Sequence, residues 1–252
     1  MKAAERQLRI RQSIESRDFL ELGTLCRELQ TSQSSVRRDL GILERQGVLR
    51  RVYGGAVPLR VVNDSSVDYA FQSGRQTDEK TRIAKVTAGL IQDGETIILD
   101  GGSTVAAVAR EIVGRSLHVV TNSLPIADLL QDAHNIELTL TGGYLDSRRR
   151  VMLGPLCERM LGAIRADLLI MGIGSVSEAG LSNNNTLLVG SERKMIEISR
   201  KLVIVADHTK FVRDAMIPVA PVAVADVLVS DRELAPEHQA MLKAHNVEIL
   251  LA

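Results

Sequence analysis

The chain has 252 residues, enough for one large domain or a small and a medium one, and its 45% hydrophobic and 25% charged residues are those of an ordinary globular protein. A formal net charge of zero argues against indiscriminate nucleic-acid binding. No apolar run approaches the ~18 residues of a membrane span, and the amino terminus lacks the apolar core of a signal peptide, which predicts a soluble cytoplasmic protein with no membrane partner. Cys26 and Cys157 are the only cysteines, fall in different predicted units and have no ligand spacing, so neither a disulfide framework, a metal nor a cofactor is expected. The charge is unevenly spread: residues 1–60 carry 12 Lys and Arg against 7 Asp and Glu, a net of +5, and the remainder carries −5.

In chain order, Ile10 and Ile14 mark a first helix. Leu22, Leu25, Cys26 and Leu29 repeat at i, i+3, i+4 and i+7 and mark a second. After the short link Gln30-Thr31-Ser32, a third helix is predicted from about Gln33 to Gln46, with Ser32 at its N-cap and Gly47 just past its end. Val36, Leu40 and Leu43 form its inward stripe. Ser34, Arg38, Gly41 and Arg45 lie opposite, flanked by Ser35 and Arg37. Hydroxyls and guanidiniums on the outer face of a short helix suit entry into a major groove. Val48 to Tyr53 then reads as a strand, Gly54-Gly55 as a turn and Ala56-Val57 as a return, a wing that offers Arg50, Arg51 and Tyr53 to the DNA backbone or minor groove. A pair of arginines on a helix is ordinarily a solvated face; two further helices, a turn of the right length and a wing make this a winged helix-turn-helix over residues 1–57.

Residues 58–76 read as a linker with Tyr69 and Phe71 as anchoring bulk, and residues 77–252 as an α/β domain. A helix is expected from Thr77 to about Gln92. Short apolar runs come next at Thr96–Leu99, Leu117–Val120, Glu137–Leu140, Leu168–Met171, Leu202–Ala206, Val227–Val229 and Val247–Leu251, alternating with helical patterns at Val105–Ile112, Pro125–Leu130, Leu156–Ile164, Val189–Ser199 and Glu237–Ala244. Runs that are continuous rather than alternating predict strands covered on both faces, hence a mainly parallel sheet with ligands at the carboxyl ends of its strands.

The residues just past those strands are polar. Asp100, Gly101, Gly102, Ser103 and Thr104 end the first strand and open a helix, an arrangement suited to a phosphate because glycines free the backbone amides, the helix contributes its dipole and the hydroxyls donate. Thr121 and Asn122 come after the second strand, Gly142 and Gly143 after the third, Gly172 and Gly174 after the fourth, and Asp207 and Lys210 after the fifth. Taken singly, each is more often turn chemistry or a surface charge; five on one side of one sheet predict a polar pocket.

With these residues in place, the chain resembles the DeoR family of bacterial transcriptional regulators over almost its whole length. The resemblance rests on Ser35-Val36-Arg37-Arg38-Asp39-Leu40 with Leu43-Glu44, Gly47, Leu49, Arg51 and Gly54-Gly55-Ala56, then Glu79-Lys80 with Ile83-Ala84, the 100–104 loop, Thr121-Asn122, Gly142-Gly143, and Asp207 with Thr209-Lys210-Phe211. It implies a repressor of a carbohydrate catabolic operon that binds double-stranded operator DNA as a homodimer or homotetramer. It also implies a carboxy-terminal domain similar to ribose-5-phosphate isomerase that binds a phosphorylated sugar. Ser103 and Thr104, with Gly101 and Gly102, would hold the phosphate; Asp100, Asn122 and Lys210 would contact hydroxyls or phosphate, with Arg148 and Glu192 as further members. Tyr53 stands where the family commonly has histidine, and Gly41 is unusual on a helix face, where glycine costs roughly 1 kcal/mol relative to alanine. Two rival readings are a sugar-phosphate isomerase-like enzyme with an appended DNA-binding head, and a winged helix that binds protein rather than DNA.

Overall fold

The computed structural model describes residues 3–16, 20–46, 48–52, 55–58, 69–211 and 214–252. The predicted positions Gly47, Tyr53 and Gly54 and the stretch 59–68 lie outside them. The chain divides into two compact units, residues 1–67 and 68–252.

In the first unit, α1 (Ala3–Ser16), β1 (Leu20–Glu21), α2 (Leu22–Glu28) and α3 (Gln33–Arg45) precede β2 (Leu49–Val52) and β3 (Gly55–Pro58). The three predicted helices are present. Ile10, Ile14, Leu25, Leu29, Val36, Leu40, Leu43 and Leu49 close one buried cluster, the stripes read from the helical periodicity. Ser32 caps α3 by accepting the amide of Ser35. The wing is an antiparallel pair, β2 on β3, and β1, which lies in the link before α2, adds a third strand to it.

The second unit opens with α4 (Tyr69–Ser73), so residues 69–73 of the expected linker are helical, and Tyr69 packs against the unit's core. Then come α5 (Thr77–Ala88), β4 (Thr96–Leu99), α6 (Ser103–Glu111), β5 (Leu117–Thr121), α7 (Leu124–Leu130), β6 (Ile136–Leu140), β7 (Tyr144–Asp146), β8 (Val151–Leu153), α8 (Pro155–Gly162) and β9 (Ala166–Gly172). They are succeeded by β10 (Ser175–Ser177), β11 (Gly180–Asn183), α9 (Thr186–Ile198), β12 (Ser199–Val205), β13 (Ile217–Ala220), β14 (Val227–Ser230), α10 (Pro236–Ala244) and β15 (Glu248–Leu251). The helix expected to reach Gln92 ends at Ala88, where Gly89 caps it and the chain turns back on itself.

The seven predicted strands are the seven strands of one wholly parallel sheet, in the order β15-β14-β12-β9-β4-β5-β6. Ile97, Leu99, Ile170, Val203 and Val229 turn to one face and pack on Ile83 of α5, Val105 of α6 and Ile126 of α7. Ile98, Leu169, Met171, Ile204 and Leu228 turn to the other, against Leu161 of α8, Met195 of α9 and Leu242 of α10. Both faces are therefore dry, which is why the strands read as unbroken apolar runs. The chain leaves β4 toward β5 and β6, then returns to β9 on β4's other side, so the strand order switches between β4 and β9, where such sheets open a crevice at the strand ends. The smaller antiparallel pieces, β7-β8 and β10-β11-β13, sit outside this sheet.

Candidate functional site

The head presents one face of α3. Asp39 is buried at 2% exposure and accepts Arg6 Nε at 2.7 Å and Gln7 Nε2 at 3.0 Å, which fastens α1 to α3 from within. On the outside, Ser34 is exposed and its hydroxyl lies 3.0 Å from that of Ser32; Ser35 is half-buried. Arg37, Arg38 and Arg45 are exposed and make no hydrogen bond or ion pair with any described residue. Three exposed guanidiniums thus lie on one helix without a partner among the described residues. Arg51 differs: its Nε lies 2.7 Å from Glu44 Oε2 and its amide donates to Glu44 Oε1, so the wing is tied to α3 through this residue. A Cβ on Gly41 would stand 3.8 Å from Arg51 Nη1, so the guanidinium passes over the glycine at contact distance. Arg50 lies on β2, in register with Val57.

The second unit gathers polar groups at the carboxyl ends of β4 and β5. The Asp100 amide donates to Ile170 O, which carries β4 one residue beyond its last apolar side chain. Gly101 leaves room for Val151: a Cβ there would lie 2.2 Å from Val151 Cγ1, so the valine would have to move. Gly102 caps α6 with φ +135°, a left-handed conformation that glycine tolerates, and no side chain among the described residues satisfies the helix's first amides. The Ser103 and Thr104 hydroxyls, at the first two helical positions, have no partner among the described residues. The hairpin β7-β8 folds over this loop: Met152 N donates to Asn122 O at 2.7 Å, and Ser123 bridges to Val151.

Beneath it, Asp100, Asn122, Ser123 and Glu192 are buried at 1%, 0%, 0% and 1% exposure. Asp100 Oδ1, both Asn122 amide atoms, Ser123 Oγ and Glu192 Oε2 have no hydrogen-bond partner among the described residues. Burial pushes the Asp100 carboxyl up to about 7 against the pull of the Gly101 amide and the neighbouring Asn122. Glu192 is raised too, by burial first and then by the Asp100 charge, although Asn183 Nδ2 donates to its Oε1 at 2.6 Å and the Arg149 charge opposes the rise. Unsatisfied buried polar atoms are rare and costly, about 1–3 kcal/mol each. Asp100, Asn122 and Ser123 carry four of them at the carboxyl ends of β4 and β5, and Glu192, on which the Asp100 charge acts, carries the fifth.

A scan against family models matches residues 6–60 to the DeoR-like helix-turn-helix domain and residues 75–232 to the DeoR C terminal sensor domain. The chain is 30% identical to the HTH-type transcriptional repressor GlcR of Bacillus subtilis, over 98% of this chain and 95% of that one. It is 31% identical to the glycerol-3-phosphate regulon repressor of Escherichia coli, over the full length of both. The chain belongs to the DeoR family. Among solved structures, ribose 5-phosphate isomerase A of Methanocaldococcus jannaschii matches 54% of this chain and 55% of its own at 21% identity, with a TM-score of 0.41. This DeoR-family chain is a DNA-binding transcriptional regulator rather than an enzyme, as are the repressors that match it end to end.

Within this DeoR-type sensor unit the expected residues separate by role. Asp100, Gly101, Gly102, Ser103, Thr104, Asn122 and Glu192 come together. The Thr121 hydroxyl is committed, donating to Leu99 O at 2.6 Å and accepting Ser123 N, so it shapes the loop. Gly143, at φ +131°, lets Leu153 O approach where a Cβ would lie 2.5 Å away, a packing requirement; Gly142 is exposed. Arg148 is exposed at the β7-β8 tip, and it is Arg149, its side chain 14% exposed and paired with Asp146, whose charge reaches Glu192. Asp207 and Lys210 form a second group, two strands or ~10 Å along the sheet edge. There the Asp207 carboxylate caps the turn His208–Lys210 through Thr209 N. Lys80 joins them: it is 4% exposed, and the charges of Asp207 and Lys210 act on its ammonium. His208, Asp231 and Glu233 bring one donor atom each within 4.8 Å, but Asp231 already accepts His208 N, His208 Nδ1 and Glu233 N. Among the described residues no helix is long and apolar enough to cross a membrane.

Proposed function

We propose that this regulator represses a carbohydrate catabolic operon from the cytoplasm and takes a phosphorylated sugar as its effector. The observation that carries the reading is the cluster of buried, partnerless atoms on Asp100, Asn122, Ser123 and Glu192 beside the uncapped N-terminus of α6. The helix end, with Ser103 and Thr104, suits a phosphate dianion. The carboxyl and amide oxygens suit hydroxyl donors a few ångströms away. One molecule with both features is a sugar phosphate.

Residues 1–57 act as the DNA-binding head and 77–252 as the sensor, with 58–76 between them. Ser34, Ser35, Arg37, Arg38 and Arg45 enter the major groove, and Arg50, Arg51 and Tyr53 serve the wing. The chain acts as a homodimer or homotetramer, so that two recognition helices reach successive major grooves, ~34 Å apart. Effector binding alters operator affinity by its differential affinity for the two states, typically ~1–3 kcal/mol.

The test is thermal unfolding against ribose 5-phosphate, glucose 6-phosphate, fructose 6-phosphate and glycerol 3-phosphate, each paired with its unphosphorylated parent and tracked with an external dye, since the chain has no tryptophan. A rise with one ester and none with its parent is the expected result. No rise with any ester contradicts the reading.

A further inference from the structure

One edge of the main sheet is left open. Among the described residues β6 pairs with β5 and with no other strand, so one side of its backbone offers amides and carbonyls to a further strand. Its apolar side chains are incompletely covered as well. Ile136 is buried, Leu138 is half-buried and Leu140 is 36% exposed, so burial falls away toward the carboxyl end of the strand. There a groove of about 700 Å³ is lined by Leu138 and Leu140, by Leu124 of α7 and by Leu145 of β7, itself 37% exposed. An apolar groove beside an unpaired strand edge is the kind of surface that proteins cover with a partner.

The charges say which partner. Asp128 of α7 and Arg150 of the loop between β7 and β8 line the same groove, and both are exposed. They do not pair with each other. Asp128 accepts the neutral Gln131 amide at 3.1 Å, and neither side chain has an ion pair with any described residue. A polyanion such as DNA would need an excess of cations here; one carboxylate and one guanidinium balance. A surface that carries both signs around an apolar centre is complementary to itself after a half-turn, because each charge then meets its opposite on the other copy. A strand edge has the same property, since two copies of one edge meet antiparallel about a twofold axis.

We infer that the β6 edge and this groove form a twofold interface between two copies of the chain, with Asp128 of one copy facing Arg150 of the other. This rests on the reading of the chain as a homo-oligomer and names the surface that makes it one. Leu140 and Leu145 of each copy are covered in the assembly.

Sedimentation equilibrium of the full-length protein is the test. Wild type should be a dimer or tetramer at micromolar concentration. Asp128→Arg sets like charges against each other in a homodimer, and so does Arg150→Asp, so each variant alone should associate at least roughly tenfold more weakly. An equimolar mixture of the two joins one cation to one carboxylate at both contacts and should associate within about threefold of wild type. Recovery in the mixture also shows that both variants are folded. Leu140→Asp with Leu145→Asp should halve the wild-type mass. A monomeric wild type overturns the homo-oligomer reading and this inference together. An oligomer that neither charge variant weakens, or that mixing does not restore, overturns this interface alone and leaves the oligomer standing.

Discussion

The head and the sensor both hold polar groups without partners, but in opposite places. On α3, Arg37, Arg38 and Arg45 are exposed and have no partner among the described residues, and an unpaired charge in water is solvated and costs the fold nothing. In the sensor, Asp100, Asn122, Ser123 and Glu192 leave theirs uncommitted inside the protein, where each lowers stability. An exposed set of this kind suits a large partner that brings its own surface. A buried set suits a small molecule that fills the space and completes the hydrogen bonds.

The sharpest way to break this contrast is at the head. Arg37→Ala with Arg38→Ala should weaken operator binding about 10²–10⁴-fold, at ~1–3 kcal/mol per lost contact, and flatten its salt dependence, with sensor stability unchanged. Fluorescence anisotropy at several salt concentrations measures both. The sensor counterpart, Ser103→Ala with Thr104→Ala, should leave operator binding intact and weaken the sugar phosphate about 10²–10⁴-fold, at ~1.5–3 kcal/mol for each charge-assisted hydrogen bond; calorimetric titration with the stabilising ester reads it.

A third prediction sharpens the claim that the buried set costs stability. In the unfolded chain Asp100 ionises near its ordinary ~3.9, whereas in the fold its carboxyl is raised to about 7. Its contribution is therefore fully present below about pH 4 and is lost as pH rises to about 7. Asp100→Asn should be more stable than wild type at pH 8, by up to ~4 kcal/mol, with the gap closing toward pH 4.5. Melting temperatures across that range check it, and a gap independent of pH would contradict it. The smallest effect is Gly41→Ala. The added methyl meets Arg51 at ordinary contact distance, so the helix should gain ~0.5–1 kcal/mol in denaturant unfolding of the head.

Burial decides which parts of the fold and the site are legible in the sequence. The seven strands of the main sheet are readable because each is covered on both faces and so is written in Val, Ile and Leu. The strands β7, β8, β10, β11 and β13 are not: each is only three or four residues long, and they pair with one another outside the main sheet. The 100–104 loop is readable because its glycines and hydroxyls carry their chemistry locally. Nothing local distinguishes Arg149 from Arg148 and Arg150. The turn set by Asp146 leaves Arg148 exposed and pairs Arg149 with Asp146, and it is the Arg149 charge that acts on Glu192. Lys80 enters only through the family resemblance; that it is buried and donates to Gln72 O and Arg75 O is set by contacts its neighbours in sequence do not announce.

The measurement that tests the central claim most directly is operator binding by wild type and by the Ser103→Ala, Thr104→Ala protein, each with and without the sugar phosphate that stabilises wild type. The account predicts equal operator affinities without the ester, and with it a change of roughly 5–150-fold, the usual span of allosteric coupling, confined to wild type. An equal response from both proteins would show that the effector is read somewhere other than the N-terminus of α6.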